Sequence, residues 1–156
     1  MPVETDASIA FEAAQAHRAG LRRAMDATEA ALAAPAAGRP VDWAAGVGTA
    51  LDTLQVAFES HVATTESPDG ILDEIVRLSP RLTNPVGGLR RDHGELGELL
   101  HEQITALRTA PGAPDAEWID ARREAVLQLL GRLARHRQHG ADLTYEAYGV
   151  DIGGET

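Results

Sequence analysis

The stretch Val126–Val150, VLQLLGRLARHRQHGADLTYEAYGV, places a histidine in the middle of an aliphatic helical stripe. On a helix, His136 shares its face with Leu133, Leu129, Leu143 and Ala147, at spacings of three, seven, seven and eleven. An imidazole at the centre of such a stripe is buried, and a buried imidazole needs a partner. One such histidine is ordinarily a satisfied core residue. The same arrangement recurs on three other stretches, which raises the question of whether four histidines meet.

Working outward, Asn84–Pro85 reads as a helix start, with a capping residue followed by a proline at the first helical position. From there to about Thr109, Val86, Leu89, His93, Leu96, Leu100, Ile104 and Leu107 recur at spacings of 3, 4, 3, 4, 4 and 3, a helical amphipathic pattern with His93 inside the stripe. APGAPD (Ala110–Asp115) is a turn, and Asp115 caps the long last helix, which is expected to fray near Gly149. Upstream, Asp42 reads as the cap of a helix from Trp43 to about Thr65, with His61 among Ala50, Leu54, Ala57 and Phe58. SPDG (Ser67–Gly70) breaks that helix, and Ser67 caps a short continuation, Ile71–Leu78, with Ile71, Ile75 and Leu78 inward. A first helix starts after Thr5 or Asp6 and runs to about Ala34. It carries His17 on its apolar side with Ala14, Leu21, Ala24 and Met25, while Arg18 and Arg22 fall elsewhere. The prolines and glycine of PAAGRP (Pro35–Pro40) end it.

No strand pattern interrupts these helices. The pattern predicts an all-α fold, an up-down-up-down four-helix bundle with a short extra helix between helices 2 and 3. A single domain is expected over residues 1–156, with extended or disordered ends at about 1–6 and 150–156. Trp43 and Trp118, each starting a helix, are expected to plug the bundle ends, and Tyr145 and Tyr148 to pack.

Composition narrows the chemistry. The chain of 156 residues has a formal charge of −10, no cysteine and no lysine. Its acidity argues against a nucleic-acid or anionic-membrane partner. Without cysteine there is no disulfide, thiolate metal site or thiol nucleophile, and without lysine no phosphate-binding P-loop. The acidic N-terminal stretch does not read as a signal peptide, and no apolar run approaches a membrane span. A soluble cytoplasmic protein is expected.

Inward positions at similar heights on neighbouring bundle helices come together. His61 and His93 flank the same connection, and His17 and His136 reach their level if the helices are suitably staggered. Imidazoles converging in a dry core repel one another if protonated and waste acceptors if neutral. A shared metal ion resolves both problems.

One histidine per helix, within HRAGLRR, FESHVATTE, LRRDHGEL and LARHRQHGADL, resembles the hemerythrin-like (HHE cation-binding) family across residues 10 to 148. The resemblance implies a four-helix bundle with a non-haem di-iron centre, bridged by carboxylates, that binds or reacts with dioxygen, peroxide or nitric oxide. His17, His61, His93 and His136 would then be ligands. The carboxylates depart from the family pattern. One turn after His61 stand Thr64 and Thr65, and the nearest acid is Glu66, which reaches inward only if SPDG unwinds the helix behind it. Gly97 and Gly140–Ala141 occupy further ligand positions, with His101 and Asp142 beyond them. An imidazole-dominated set suits Zn(II), Cu(II) or Fe(II) better than ferric iron. His139 is a further candidate ligand, although Arg132, Arg135, Asp142 and Glu146 share its side as on a polar helix edge, and His101 reads as a surface residue.

The sequence therefore predicts a metal-binding bundle. The expected metal is iron, mono- or dinuclear, on His17, His61, His93, His136, His139 and Glu66. The expected partner is a small diatomic or peroxide ligand, within an apolar pocket of Met25, Leu54, Phe58, Leu89 and Leu133. Any catalysis would be that of a metal-dependent oxidoreductase. Two alternatives stand beside it: a degenerate, metal-free bundle that binds a partner, and haem held between two histidines.

Overall fold

A computed structural model describes the backbone of residues 2–153 and the side chains of residues 9 and 11–149. The elements run α1 (Pro2–Ala33), α2 (Pro40–Glu66), α3 (Ile71–Leu78), a 3-10 turn (Pro80–Leu82), α4 (Thr83–Arg108) and α5 (Ala116–Gly153). There is no strand among the described residues. The four long helices pack together, α1 along α2, α2 on α4, α4 on α5 and α5 against α1, with α3 lying on α1, α2 and α5.

Apolar periodicity is what buries these helices. Every member of the α4 stripe, from Val86 through His93 to Leu107, is buried. On α2 the buried residues Trp43, Val47, Leu51, Leu54, Phe58, His61 and Thr65 recur every three or four positions, a single face one turn after another. Asp115 caps α5 as its sequence suggests, its carboxylate accepting from the Trp118 N–H at 2.8 Å.

Three helix ends differ from the sequence reading. α2 begins at Pro40, not after Asp42, with Arg39 at the cap and the Trp43 N–H donating to the Arg39 carbonyl at 3.0 Å. A proline in the first turn sacrifices an N–H that would be unpaired anyway, so the residue that ends one segment starts the next. Asp42 instead lies in the first turn, where its charge suits the helix dipole. α1 begins at Pro2, and α5 continues through Gly149 to Gly153. Met1 and residues 154–156 lie outside the described residues.

Ser67 does not cap α3. It ends α2, and its hydroxyl donates back to the Thr64 carbonyl at 3.0 Å, while Gly70 occupies the α3 cap. The Gly70 N–H closes a turn onto the Ser67 carbonyl at 2.8 Å, with Pro68 second and Asp69 third at φ +63°. Proline followed by a positive φ is the pattern of a type II turn. A Cβ on Gly70 would stand 2.7 Å from the Thr64 carbonyl oxygen, so only glycine fits there. This tight reversal stops α2 at Glu66 and leads into α3, which packs on α1, α2 and α5.

The core falls into two apolar clusters. The larger runs from Leu32 and Trp43 through Leu51, Leu100 and Val126 to Phe58, Leu96 and Leu133. The smaller joins Ala14, Ile71, Ile75, Val86, Leu89 and Leu143 beneath α3. Along α2, α4 and α5, the buried histidines stand at the boundary between the two.

Candidate metal centre

His61, His93 and His136 project from α2, α4 and α5 into that boundary, and each is 6% exposed. One ring nitrogen from each lies within 4.8 Å of the others. Ring centroids are 5.3 Å apart for His61 and His93, 5.7 Å for His61 and His136, and 4.7 Å for His93 and His136. The rings of His61 meet the other two nearly edge to face, and the Phe58 ring stands 6.1 Å from His93 in the same manner.

Two of the imidazoles are oriented from behind by acids. His93 Nδ1 donates to Glu66 Oε1 at 3.0 Å, and His136 Nδ1 faces Asp92 Oδ2 at 3.3 Å. An ionised carboxylate only accepts, so it fixes the proton on Nδ1 and leaves the Nε2 lone pair free. That is how metal-ligating histidines are usually held. His61 has no such support: its Nδ1 is buried with no hydrogen-bond partner. A buried, unpaired ring nitrogen is costly in a core unless it has a ligand to meet.

Burial and crowding favour the uncharged form of His61 and His136. Desolvation first, then the neighbouring His93 and His136, push His61 down to about 3, with Arg18 and His17 adding to the effect. Desolvation also lowers His136, assisted by His93 and opposed by Asp92. A neutral imidazole is the form that binds a metal. The donor set thus fits a divalent ion of the zinc, copper or ferrous type.

The other expected ligands lie elsewhere. His17 is half-buried, and its Nε2 pairs with the Thr64 hydroxyl at 3.0 Å, outside the group of three. Glu66 supports His93 and is not one of that group. His139 is exposed, in a depression with Asp92, Arg132 and Arg135, and His101 is exposed on α4. Asp142 accepts from Gln138, and Glu146 pairs with Arg81, so neither turns inward. Among the expected pocket residues only Leu89 borders the cavity beside the imidazoles, whereas Met25, Leu54, Phe58 and Leu133 belong to the larger apolar cluster.

That cavity, of about 30 Å³, lies between the three imidazoles and the α3 side of the bundle. Ile71, Leu72 and Leu89 give it apolar walls, and Thr65 and Gly140 border it one turn after His61 and His136. Arg18 and Arg137 also line it, although Arg18 reads in the sequence as lying off the apolar side of its helix. No acid lines it. Sequence reasoning missed Asp92 as well. Its signal was the acid directly preceding His93, which a helix turns by about 100° toward the next helix in the ring.

No protein-family model, curated protein or solved structure matches the chain.

Proposed function

We propose that this chain is a mononuclear metal protein of hemerythrin-like layout. It is an up-down-up-down four-helix bundle with α3 as the short extra helix, and it holds one non-haem ferrous ion on His61, His93 and His136. The reading rests on one observation above the rest: three buried imidazoles from three helices face one another, two of them held by carboxylates on their far nitrogens. A di-iron centre is not proposed, because no carboxylate joins the three imidazoles in a metal-binding group among the described residues.

When bound, such an ion supplies a Lewis-acidic and redox-active centre with coordination positions left open to a small diatomic or peroxide ligand. The chain's residues do the rest. Glu66 and Asp92 fix ring orientation and tautomer, while Ile71, Leu72 and Leu89 give the adjoining cavity apolar walls. Three imidazole ligands serve Zn(II) as readily as Fe(II); the choice of iron follows the family resemblance.

Metal analysis after anaerobic reconstitution with Fe(II), Co(II) or Zn(II) tests the reading. Wild-type protein is expected to retain one metal per chain with a raised melting temperature, and His93→Ala to retain none. Two irons per chain would overturn the mononuclear assignment. No retained metal would leave a metal-free, partner-binding bundle as the better account.

A further inference from the structure

We infer that the cavity beside the three imidazoles is a small-anion site, in which Arg18 and Arg137 hold a monoanion of two or three heavy atoms against the metal. The inference rests on the metal reading and specifies the ligand's charge: hydroperoxide, superoxide, nitrite or azide chemistry in place of a neutral diatomic.

Charge is the first argument. Arg18, Arg137 and three histidines line one cavity, and among the described residues no acid does. Glu66 and Asp92 lie on the far side of His93 and His136, bonded to their outer nitrogens. A divalent ion added to this lining leaves the cavity strongly positive. Like charges sharing a low-dielectric space destabilise one another unless an anion lies between them.

Among the described residues neither Arg18 nor Arg137 forms an ion pair with a carboxylate, and Arg137 Nε is buried without a hydrogen-bond partner. Asp26 on α1 forms its own ion pair with Arg22 at 4.0 Å. Guanidinium N–H groups offer charge-assisted hydrogen bonds that only an anionic acceptor uses fully.

Space is the second argument. A volume of about 30 Å³ is two to three times the roughly 10–15 Å³ that a single water requires. It suits a diatomic or triatomic ligand and is too small for a long-chain carboxylic acid. Thr65 and Gly140 stand where a longer acidic side chain would fill this space from within, and a Cβ on Gly140 would meet nothing within 4 Å. The chain supplies the cations and leaves the anion to solution.

The test uses Co(II)-loaded full-length protein, azide as the probe and the cobalt d–d bands as the readout. Cobalt stoichiometry is measured first in every variant. Azide is expected to shift the wild-type bands saturably, with Kd rising about tenfold in Arg18→Met and in Arg137→Met. Arg18→Lys, which keeps the charge, is expected to recover part of the loss. Cobalt bound at full stoichiometry with the same azide Kd in wild type and both methionine variants would overturn the anion site and leave the metal reading intact. Failure of the wild type to bind cobalt would overturn both.

Discussion

Along α2, the buried positions from Trp43 to Phe58 are all apolar, whereas the next two, His61 and Thr65, are polar. On α5, polar His136 and Thr144 join the buried positions after Val126, Leu129 and Leu133, beside apolar Leu143 and Ala147. The half of the bundle away from α3 is therefore a continuous aliphatic core, closed at its far end by Trp43. The Trp43 indole donates to the Leu32 carbonyl at 3.3 Å, and Arg123 lies 5.2 Å over its ring. The half beneath α3 holds buried imidazoles, a buried Glu74 paired with Arg77, and a cavity with two arginines. Apolar burial in the first half provides stability that the second half spends on polar groups with incomplete partners.

Acid should break the comparison most sharply. His61 titrates near 6.5 unfolded and at about 3 folded. Between those values the unfolded chain binds a proton that the folded chain does not, so stability is full above pH 6.5 and falls as pH drops toward 3. The loss at the low end is on the order of 4–5 kcal/mol. Denaturant unfolding from pH 7 to pH 4 should show a steep decline in the metal-free wild type and a shallower one in His61→Gln. Equal slopes would mean that His61 does not carry the charge-burial penalty.

Leu51→Ala probes the other half. Leu51 is fully buried in the larger cluster, and truncation should cost about 3 kcal/mol through lost transfer energy and a cavity. Metal affinity should be unchanged, because the site lies elsewhere. A parallel loss of metal would show that the two halves are not separable.

Asp92→Ala and Glu66→Ala act in the opposite sense. Each removes the acceptor behind one imidazole, and each should weaken metal binding about 10- to 100-fold. Their surface-facing carboxylates contribute little to folding, so melting temperatures of the metal-free forms should hold. Isothermal titration with Zn(II) measures the first effect and thermal unfolding the second. Unchanged zinc affinity in both would remove the carboxylate support from the proposal.

The smallest effect expected is at Gly94, exposed on α4 beside His93. A Cβ there meets nothing within 4 Å, so Gly94→Ala should raise stability by about 0.5–1 kcal/mol through helix propensity and reduced unfolded-state entropy. Metal affinity should not change.

The sequence determined the helices and their inward faces. Apolar spacing of three and four residues fixed which side of α4 is buried, placing His93 within it, and the same periodicity placed His61 and His136. Spacing works because a helix presents residues to its neighbour by local geometry alone. Helix ends were less legible, since Pro40 can end a segment or begin one, and Ser67 can face either helix it adjoins. Tertiary structure decided which buried histidines meet. His17 has the same helical signature as the others, yet it turns to Thr64, because the rotation and stagger of α1 against α2 are not encoded in either helix alone. The partners of His93 and His136 come from other helices, and the inward course of Arg18 and Arg137 depends on where α1 and α5 converge. Periodicity sets the faces of helices one at a time; the cavity and its charges exist only where several of those faces pack together.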